Sequence, residues 1–309
     1  MNVPRQALVI VLGAVTAAGL VACSSGKTAE NKNTSASVSV TAQTSLHDQL
    51  PQAVKDKGEL AMATDASYAP IEFTNDGGKT FQGFDVDLAN AIGKKLGVKI
   101  TIKNAQFDGI LAGVNGGRFD FSMSAFTDNK ERQKQNDFVT YFQAGTSIGV
   151  KTGNPKNITS QDDLCGKKVA AETGTTQYLA LTKDKDDSGA LTLRGTCLSK
   201  HLAAPVAVAL EDQNAVNQAL VAGRADAFIS DSPVVDYQAK LENGQIQQGG
   251  TTTDVAPYGI ALPKGSPLTA VFQKAVAALI ADGTYTTIVK TWGLQKGAVT
   301  ESKINAAVS

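Results

Sequence analysis

The sequence predicts an α/β fold in which largely parallel sheets, flanked by helices, are divided between two lobes. Three observations support this prediction. Strand-like apolar runs alternate with amphipathic helices from Gly58 onward, an order typical of parallel sheets. The segments 117–124 and 223–230 both read Gly-Arg-x-Asp-x-x-x-Ser, and each follows an amphipathic helix. At 309 residues, the chain is long enough for two domains of ordinary size.

The strands are predicted from short apolar runs that are bounded by charged or turn-forming residues. In chain order, these runs are 59–64, 98–103, 118–123, 167–171, 206–210 and 225–230. The helices are predicted from apolar residues three and four positions apart. They cover 83–97, 107–117, a segment beginning near Thr175, and 211–223. Gly97 fits the end of the first of these helices.

Polar side chains follow the repeated strands where each of them ends. Ser124 ends one strand, and Ser230 with Asp231 ends the other. Ligands of open α/β sheets bind outside the carboxyl ends of the strands. The repeated Gly-Arg-x-Asp-x-x-x-Ser pattern therefore predicts a cleft between two lobes with the ligand inside it.

The stretch SAFTDNKERQ, residues 124–133, places a hydroxyl and a guanidinium just past the first of these strand ends. Asp128 and Glu131 fit a capping box, so a helix is expected to begin there. A helix N-terminus beside Thr127 and Arg132 can hold an anion. The alternative is an ordinary capped helix with an arginine on its solvated face.

Composition and motifs favour binding over catalysis. Lys and Arg together number 29, as do Asp and Glu, so no net field would attract nucleic acid. The two histidines, His47 and His201, have no metal-ligating companion at a useful spacing. Gly78-Lys79-Thr80 resembles the end of a P-loop, but Phe73 stands where that motif needs glycine. No cofactor and no metal are predicted.

The N-terminus has the pattern of an export signal. One positive charge precedes an apolar run that is too short and too rich in small residues for a convincing membrane span. The four residues Leu-Val-Ala-Cys that end at Cys23 resemble the lipobox of bacterial lipoproteins, in which the cysteine carries lipid such as palmitate. We expect a signal peptide over 1–22 and a disordered, lipid-anchored tether over 23–50. A plain signal with a chance cysteine is the alternative.

Cys165 and Cys197 remain once Cys23 is assigned to the lipobox. An even pair in an exported protein is expected to form a disulfide rather than two free thiols. The bridge would close a loop of about thirty residues and would have a structural role.

With these residues placed, the chain resembles the family 3 solute-binding proteins of amino-acid ABC importers. The resemblance covers residues 58–294 and rests on six segments in the right order: TDASYAPIEF, FQGFDVDLANAIGKKLG, FTDNKERQ, ETGTTQ, AGRADAFISDSP and ADGTYTTIVKTWG. It implies the type II periplasmic-binding-protein fold, two open sheets joined by hinge strands near 145–153 and 257–265. Lobe one would then be 51–147 plus 258–309, and lobe two 148–257.

The resemblance also implies how an amino acid would be held. Arg132, with Thr127, would bind its α-carboxylate, and Thr176 would add a contact from lobe two. Asp231, helped by Ser124, would bind its α-ammonium. The full implied set is Asp65, Tyr68, Phe107, Ser124, Ala125, Thr127, Arg132, Glu172, Gly174, Thr176 and Asp231.

The ligand's side chain is expected to face the acids of this set. Tyr68 and Phe107 match aromatic walls of the family pocket, although core packing is the alternative for Phe107. Ala125 replaces the second serine or glycine of many relatives, so only its backbone could contribute. If Asp65 and Glu172 both face the cleft, they favour a polar ligand, basic before amide. The alternative for Glu172 is a solvent-facing position.

The expected protein is a monomeric binder on the extracytoplasmic face of the cell membrane, and no enzymatic activity is expected. Its partners would be a free amino acid and the permease subunits of an ABC importer, with no nucleic acid. Two other readings share the fold. One is an exported dehydratase, with Glu172 as its acid. The other is a ligand sensor, which is less expected because such modules usually continue into a membrane span, whereas this chain ends soon after Trp292.

Overall fold

The computed structural model describes residues 35, 38–75, 78–241 and 244–307. The predicted signal peptide at 1–22, the lipid site at Cys23 and the first part of the predicted tether lie outside these residues. Within the described residues, every helix is too short or too polar to cross a bilayer.

Strands and helices alternate along most of the described chain. The strands are β1 (Glu59–Thr64), β2 (Ser67–Tyr68), β3 (Glu72–Thr74), β4 (Phe81–Gln82), β5 (Lys99–Asn104), β6 (Phe121–Ser122), β7 (Asn136–Lys151), β8 (Lys168–Glu172), β9 (Val206–Leu210), β10 (Ala227–Asp231), β11 (Ile246–Gln248) and β12 (Thr253–Pro263). The helices are α1 (Thr44–His47), α2 (Gln52–Lys57), α3 (Phe84–Leu96), α4 (Phe107–Asn115), α5 (Lys130–Gln133), α6 (Thr176–Thr182), α7 (Leu193–Ser199), α8 (Gln213–Val221), α9 (Ser232–Lys240), α10 (Leu268–Ala281) and α11 (Thr284–Thr291).

The main sheet has nine strands in the order β5-β1-β6-β12-β7-β10-β8-β9, with β11 paired to β7. Strands β5, β1 and β6 form one parallel group, here called the first trio. Strands β10, β8 and β9 form a second parallel group, the second trio. The long strands β7 and β12 pair antiparallel between the two trios. The predicted α/β class with flanking helices is confirmed.

The two expected groups of strands are joined into one continuous sheet by the long strands β7 and β12. Strand β12 pairs with β6 of the first trio, and β7 pairs with β10 of the second. The segments predicted as hinges, near 145–153 and 257–265, are the ends of these two strands. Because β7 and β12 pair with each other over most of the length of β12, their hydrogen bonds connect the trios.

The repeated Gly-Arg-x-Asp-x-x-x-Ser segments form the same local structure before β6 and before β10. Gly117 and Gly223 have φ of +72° and +76°, the left-handed conformation with which helices commonly end. Asp120 then accepts a hydrogen bond from the Ala61 N–H of β1, at 2.7 Å. Asp226 accepts one from the Lys168 N–H of β8, at 3.0 Å. Each aspartate thus connects a helix–strand turn to the N-terminal part of the neighbouring parallel strand, β1 for Asp120 and β8 for Asp226.

The apolar core is divided in the same way as the sheet. The largest cluster is built from residues 46–144 and 258–294, together with Val234. Among the described residues, three smaller clusters lie within 148–229, within 170–246, and within 63–138 together with Ala261. Core residues three and four positions apart bury one face of α10, whereas α3 is buried on nearly all sides.

Residues 38–50 pack on the globule, although the tether predicted from sequence extends to residue 50. Leu46 and Leu50 are buried, and Val38 and Val40 contact the same cluster. The Gln43 N–H donates to Lys95 O at 2.9 Å, and His47 Nδ1 lies 2.9 Å from Leu96 O. Leu46 and Leu50, four positions apart, provide the apolar contact that holds this segment. Two leucines are too few to change the polar composition from which a tether was predicted.

Cys165 and Cys197 are joined by a disulfide with a Cα–Cα distance of 5.6 Å. Cys197 lies on α7 and is fully buried, whereas Cys165 follows the 3₁₀ helix Gln161–Leu164. The bridge fastens α7 to the segment that precedes β8, beside the apolar cluster within 148–229.

Candidate functional site

The candidate site is a cleft at the carboxyl ends of the strands of both trios. Asp65 follows β1, and Ser124 lies two residues beyond β6. Glu172 and Asp231 are the last residues of β8 and β10. Because parallel strands end at the same sheet edge, the two trios bring these four polar side chains to one place.

All the predicted ligand-binding residues except Gly174 line this cleft. The lining residues are Asp65, Tyr68, Glu72, Phe107, Ser124, Ala125, Thr127, Arg132, Glu172, Thr175, Thr176, Gln177 and Asp231. Gly174 lies at the edge, where its carbonyl accepts a hydrogen bond from Arg132 Nη2 at 3.2 Å.

Arg132 is held in position from three sides. Its Nη1 donates to Thr127 O at 2.9 Å, and its Nη2 donates to Gly174 O across the cleft. The guanidinium lies over the rings of Phe107 and Phe126, with its carbon 5.6 Å and 5.1 Å from their centroids. Burial lowers the pKa of Arg132 to about 10, an effect that Asp231 opposes. The group stays cationic at neutral pH and has further N–H donors for an anion.

Asp231 is a buried carboxylate with fixed orientation. Its Oδ1 accepts from Gln177 Nε2 at 2.7 Å, and its Oδ2 accepts from the Tyr258 hydroxyl at 2.6 Å. Burial raises the pKa of Asp231, while these hydrogen bonds and Arg132 oppose the rise. A cation placed against this carboxylate would replace the water that burial has removed.

Direct contacts join the two sides of the cleft. The hydroxyl of Tyr68, next to the first trio, lies 2.9 Å from the hydroxyl of Ser230 in β10 and accepts from Asp231 N–H at 3.2 Å. The Gln213 N–H of α8 donates to the Ser67 hydroxyl at 3.1 Å. The cleft is therefore closed.

Acids outnumber cations among the charged residues that line the cleft. Asp65, Glu72, Glu172 and Asp231 are accompanied by Arg132 as the one lining cation among the described residues. Burial, with repulsion from Asp65, raises the pKa of Glu172 to about 9. Burial also raises the pKa of Asp65 to about 6, although Ser67 and Phe107 N–H donors oppose it.

Glu172 is only 3% exposed, and its Oε1 has no hydrogen-bond partner among the described residues. The alternative left open by the sequence was a solvent-facing position, but this side chain lines the cleft. A buried carboxyl oxygen without a partner is costly, because its lost hydration is not replaced. Its raised pKa keeps the carboxyl protonated and leaves one of its oxygens inside the cleft for a ligand group to contact.

The segment after β6 differs from its prediction in one respect. The helix α5 is four residues long and is capped by Asn129, whose side chain accepts from Arg132 N–H at 2.8 Å. Asp128, the predicted cap, accepts instead from Gln133 Nε2 and from Ala306 N–H. Asn is as good a cap as Asp, and the C-terminal segment provides Asp128 with another donor.

Besides the ligand contact that the resemblance implies, Ser124 makes two hydrogen bonds within the protein. Its hydroxyl is fully buried, accepts from Asp65 N–H at 2.8 Å and donates to Glu72 Oε1 at 3.0 Å. Both of these partners line the cleft. The hydroxyl thus ties Asp65 and Glu72 together at the floor of the cleft.

Three lining residues were not predicted, namely Glu72, Thr175 and Gln177. Thr175 and Gln177 flank the predicted Thr176 at the start of α6, so the signal for them was its position beside a helix N-terminus. Glu72 sits between Ile71 and Phe73, and all three are buried. An acid inside an apolar run was the available signal for Glu72.

The described residues contain no group of three or more His, Cys, Asp or Glu side chains arranged to hold a metal ion. The acids of the cleft instead form hydrogen bonds with hydroxyl, amide and backbone donors.

Comparison with known proteins identifies the class of protein. Residues 60–295 match the family described as bacterial extracellular solute-binding proteins, family 3. The match covers well over half of the chain and both sides of the cleft. The chain belongs to this family of extracytoplasmic binding proteins.

Particular relatives are similar over most of their length. An arginine-binding protein of Corynebacterium glutamicum is 28% identical over 305 residues, which is 98% of this chain and 97% of the relative. A solved ancestral arginine-binding protein bound to arginine is 35% identical, with a TM-score of 0.66 over 76% of this chain and 98% of that one. A solved ancestral amino acid-binding protein, a precursor of cyclohexadienyl dehydratase, is 33% identical, with a TM-score of 0.66 over 78% of this chain and 98% of that one.

Proposed function

We propose that this protein captures a free basic amino acid in its cleft and delivers it to the permease subunits of an ABC importer. The observation that carries the proposal is a closed, acid-rich cleft with Arg132 as its lining cation. An α-amino acid needs one cationic and one anionic anchor, and the cleft offers both in Arg132 and Asp231.

Arg132 binds the α-carboxylate. Its guanidinium is fixed by Thr127 O, Gly174 O and two aromatic rings, so its planar fork is oriented before a ligand arrives. Guanidinium and carboxylate groups form paired, charge-assisted hydrogen bonds. The backbone and hydroxyl of Thr127 and Thr176 add contacts from the two sides of the cleft.

Asp231 binds the α-ammonium. Its two oxygens already accept from Gln177 and Tyr258, which fix the plane of the carboxylate. Each carboxylate oxygen can accept a second hydrogen bond, so an ammonium can join these donors without displacing them.

Asp65 and Glu172 face the ligand's side chain. Among the described residues, one lining cation accompanies four acids, and Glu172 keeps its proton when no cation is near it. A second positive charge from the ligand would let this carboxyl ionise and pair with it, whereas a neutral side chain would leave it protonated. The solved ancestral protein bound to arginine supports the same ligand class. Tyr68 and Phe107 form apolar walls along which the side chain's methylene groups can lie.

Residues 51–147 with 258–309, and residues 148–257, act as two lobes that open and close on the ligand. The separate apolar clusters on the two sides support this division. Cys23 carries lipid that holds the monomeric mature chain at the outer face of the membrane, as the lipobox-like sequence indicates.

An exported dehydratase is the second candidate function. It is favoured by the buried, proton-retaining carboxyl of Glu172 and by the similarity to an ancestral precursor of cyclohexadienyl dehydratase. The binding proposal has the stronger support because the lining residues supply anchors for both ends of an amino acid. Incubation with a prephenate-like substrate and analysis of products separates the two, since a binder returns the compound unchanged.

The proposal is tested by calorimetric titration with L-arginine, using L-glutamine for comparison. Arginine should bind more tightly than glutamine. Arg132→Ala should weaken arginine binding by about thirty-fold or more, because removing one partner of a desolvated charge pair costs roughly 2–5 kcal/mol. Arg132→Lys should also bind poorly, because an ammonium lacks the two-pronged geometry of the guanidinium.

Arg194→Ala is the matched control, since Arg194 is paired with Asp184 near the surface and is not among the residues that line the cleft. It should bind arginine as the wild type does. Equal affinities of the wild type and Arg132→Ala would contradict the assignment of the carboxylate anchor. Absence of binding by any amino acid would contradict the proposed function itself.

A further inference from the structure

The floor of the cleft contains a backbone conformation that its residue type disfavours. Ala125 lines the cleft, is 5% exposed and has φ of +49°. Residues with a Cβ rarely adopt this left-handed conformation, because Cβ approaches the following carbonyl. Such strain persists where the surroundings hold the residue in place, and it is common at ligand-binding sites.

Two buried carboxyl groups accept hydrogen bonds from Ser124 and Ala125 and so hold this strained segment in place. Asp85, near the start of α3, accepts from Ala125 N–H at 3.1 Å and from the Tyr141 hydroxyl at 2.7 Å, both at its Oδ2. Glu72, on β3, accepts from the Ser124 hydroxyl at its Oε1. Both carboxyl groups are at most 1% exposed.

The other oxygen of each carboxyl group has no conventional donor. Glu72 Oε2 and Asp85 Oδ1 are buried, and neither has a hydrogen-bond partner among the described residues. The two side chains are nevertheless neighbours, because Glu72 bonds to Ser124 and Asp85 bonds to the next residue, Ala125. A hydrogen bond with Glu72 also acts to lower the pKa of Asp85. One proton held between these oxygens would satisfy both of them, a known arrangement for adjacent carboxyl groups.

The hydrogen bonds indicate where the charge lies. Asp85 accepts two hydrogen bonds at one oxygen, which stabilises its ionised form. Glu72 accepts one, from Ser124. Burial raises the pKa of both groups, and repulsion from Asp85 adds to the rise at Glu72. Glu72 is therefore the protonated member of the pair and donates to Asp85.

We propose that Glu72 and Asp85 form a pair sharing one proton, and that Asp85 is the positioning residue that holds Ala125 in its left-handed conformation at the floor of the cleft. This inference rests on the proposed function for its effect on binding, because the ligand would contact the backbone that Asp85 holds. Asp85 itself acts through Ala125 and does not line the cleft.

The experiment compares Asp85→Asn with Asp87→Asn by calorimetric titration with L-arginine. Asp87 lies on the same helix turn and is buried, but it accepts from Trp292 Nε1 at 2.9 Å, away from Ala125. Asp87→Asn therefore controls for the loss of a buried charge at the start of α3. In Asp85→Asn the amide oxygen can still accept, but hydrogen bonds to a neutral acceptor are only about half as strong as those to a carboxylate. Arginine binding should therefore weaken by roughly tenfold, equivalent to about 1.4 kcal/mol, whereas Asp87→Asn should change it by less than about twofold.

A second substitution separates positioning from general structural damage. Glycine adopts positive φ without the Cβ conflict, so it needs less help from Asp85. Ala125→Gly should therefore reduce the loss caused by Asp85→Asn, and the double variant should bind more tightly than Asp85→Asn alone. Lack of any such rescue, or equal losses in Asp85→Asn and Asp87→Asn, would overturn the positioning role.

Glu72→Gln provides a measurement if Asp85→Asn fails to fold. The glutamine Nε2 can donate permanently to Asp85 Oδ1, as the shared proton does, while its Oε1 still accepts from Ser124. Binding should weaken less than in Asp85→Asn or in Glu72→Ala. An equal loss in Glu72→Gln and Glu72→Ala would contradict the shared proton.

A measurement without ligand keeps this inference independent of the proposed function. The free energy of unfolding is determined in urea for the wild type, Asp85→Asn, Ala125→Gly and the double variant. Asp85→Asn should destabilise the Ala125→Gly background less than the wild type, because the strain it must hold is absent there. Additive effects would overturn the inference even if arginine binds, and coupled effects would support it even if arginine does not.

Discussion

At the residue scale, Glu172 is a buried acid that lowers the stability of the protein and offers a contact for a ligand. Its carboxyl is buried beside Asp65, Asp212, Asp231 and Asp108, and burial is the largest cause of the rise in its pKa to about 9. A buried acid without a cationic partner avoids its charge by keeping its proton. The protein therefore keeps in the cleft a group that a cationic ligand would stabilise and that the ligand-free protein must neutralise.

The pH dependence of stability follows from this pKa. Between the ordinary value of 4.5 and about 9, the folded protein keeps a proton on Glu172 that the unfolded chain has lost. Because the folded state binds more protons in this window, the free energy of unfolding falls as the pH rises. Glu172→Gln, which cannot titrate, should become more stable relative to the wild type by up to roughly 1.4 kcal/mol for each pH unit.

Urea unfolding of the ligand-free wild type and of Glu172→Gln at several pH values between 5 and 9 measures this difference. Glu301→Gln, in which an exposed glutamate paired with Lys303 is changed, should follow the wild type at every pH. A constant difference between Glu172→Gln and the wild type would show that Glu172 is ionised in the folded protein.

At the element scale, the sequence predicted the type and order of most helices and strands because their apolar periodicity is strong. It also predicted the cleft, since Ser124 and Asp231 end apolar strands that follow equivalent helices. Glu72 was missed because a three-residue strand carries too short an alternation to reveal which face a residue occupies. The hinge strands were expected from the family resemblance alone, because local patterns do not encode the long-range pairing of β7 with β12.

The repeated turn before β6 and β10 makes a contribution to the free energy of unfolding that can be measured. Asp226 accepts from Lys168 N–H and pairs with Lys156 at 3.2 Å, and Asp120 accepts from Ala61 N–H and pairs with Lys57 at 3.9 Å. In both places, an aspartate accepts a hydrogen bond from a backbone N–H near the start of a parallel strand. The pairing between strands provides no acceptor for that N–H.

Asp226→Ala should lower the free energy of unfolding by roughly 1–3 kcal/mol, because it leaves the Lys168 N–H without an acceptor. Asp226→Asn should lose less, since the amide oxygen can still accept. Asp187→Ala, which removes an exposed carboxylate paired with Lys183, should change stability by no more than about 0.5 kcal/mol. Urea unfolding measures all three, and equal stabilities of Asp226→Ala and Asp187→Ala would remove the turn's proposed role.

At the scale of the whole molecule, the closed cleft depends on close approach of backbone to backbone. Gly174 lies between β8 and α6 and packs against Asp108, in the first turn of α4 on the other side of the cleft. A Cβ at Gly174 would lie 2.8 Å from Asp108 Cα and Cβ, closer than real contacts permit. Because a helix backbone cannot give way as a flexible side chain can, glycine at this position is a condition of closure.

Gly174→Ala should therefore hinder closure and weaken L-arginine binding by about tenfold or more, since overpacking of this kind costs roughly 1–3 kcal/mol. Alanine is also strained there by a φ of +79°, so the backbone effect must be separated from the clash. Gly223→Ala is the matched control, because Gly223 has φ of +76° but its nearest neighbour would be the flexible Lys151 Nζ at 3.5 Å.

Both variants should lose similar stability without ligand, and only Gly174→Ala should lose affinity. Small-angle scattering should show the wild type and Gly223→Ala becoming more compact with arginine, while Gly174→Ala stays more open at the same ligand concentration. Because both substitutions place alanine at nearly the same φ, their difference reports the contact with Asp108 alone. Equal affinities and equal compaction of the two variants would mean that the cleft closes without the approach of Gly174 to Asp108.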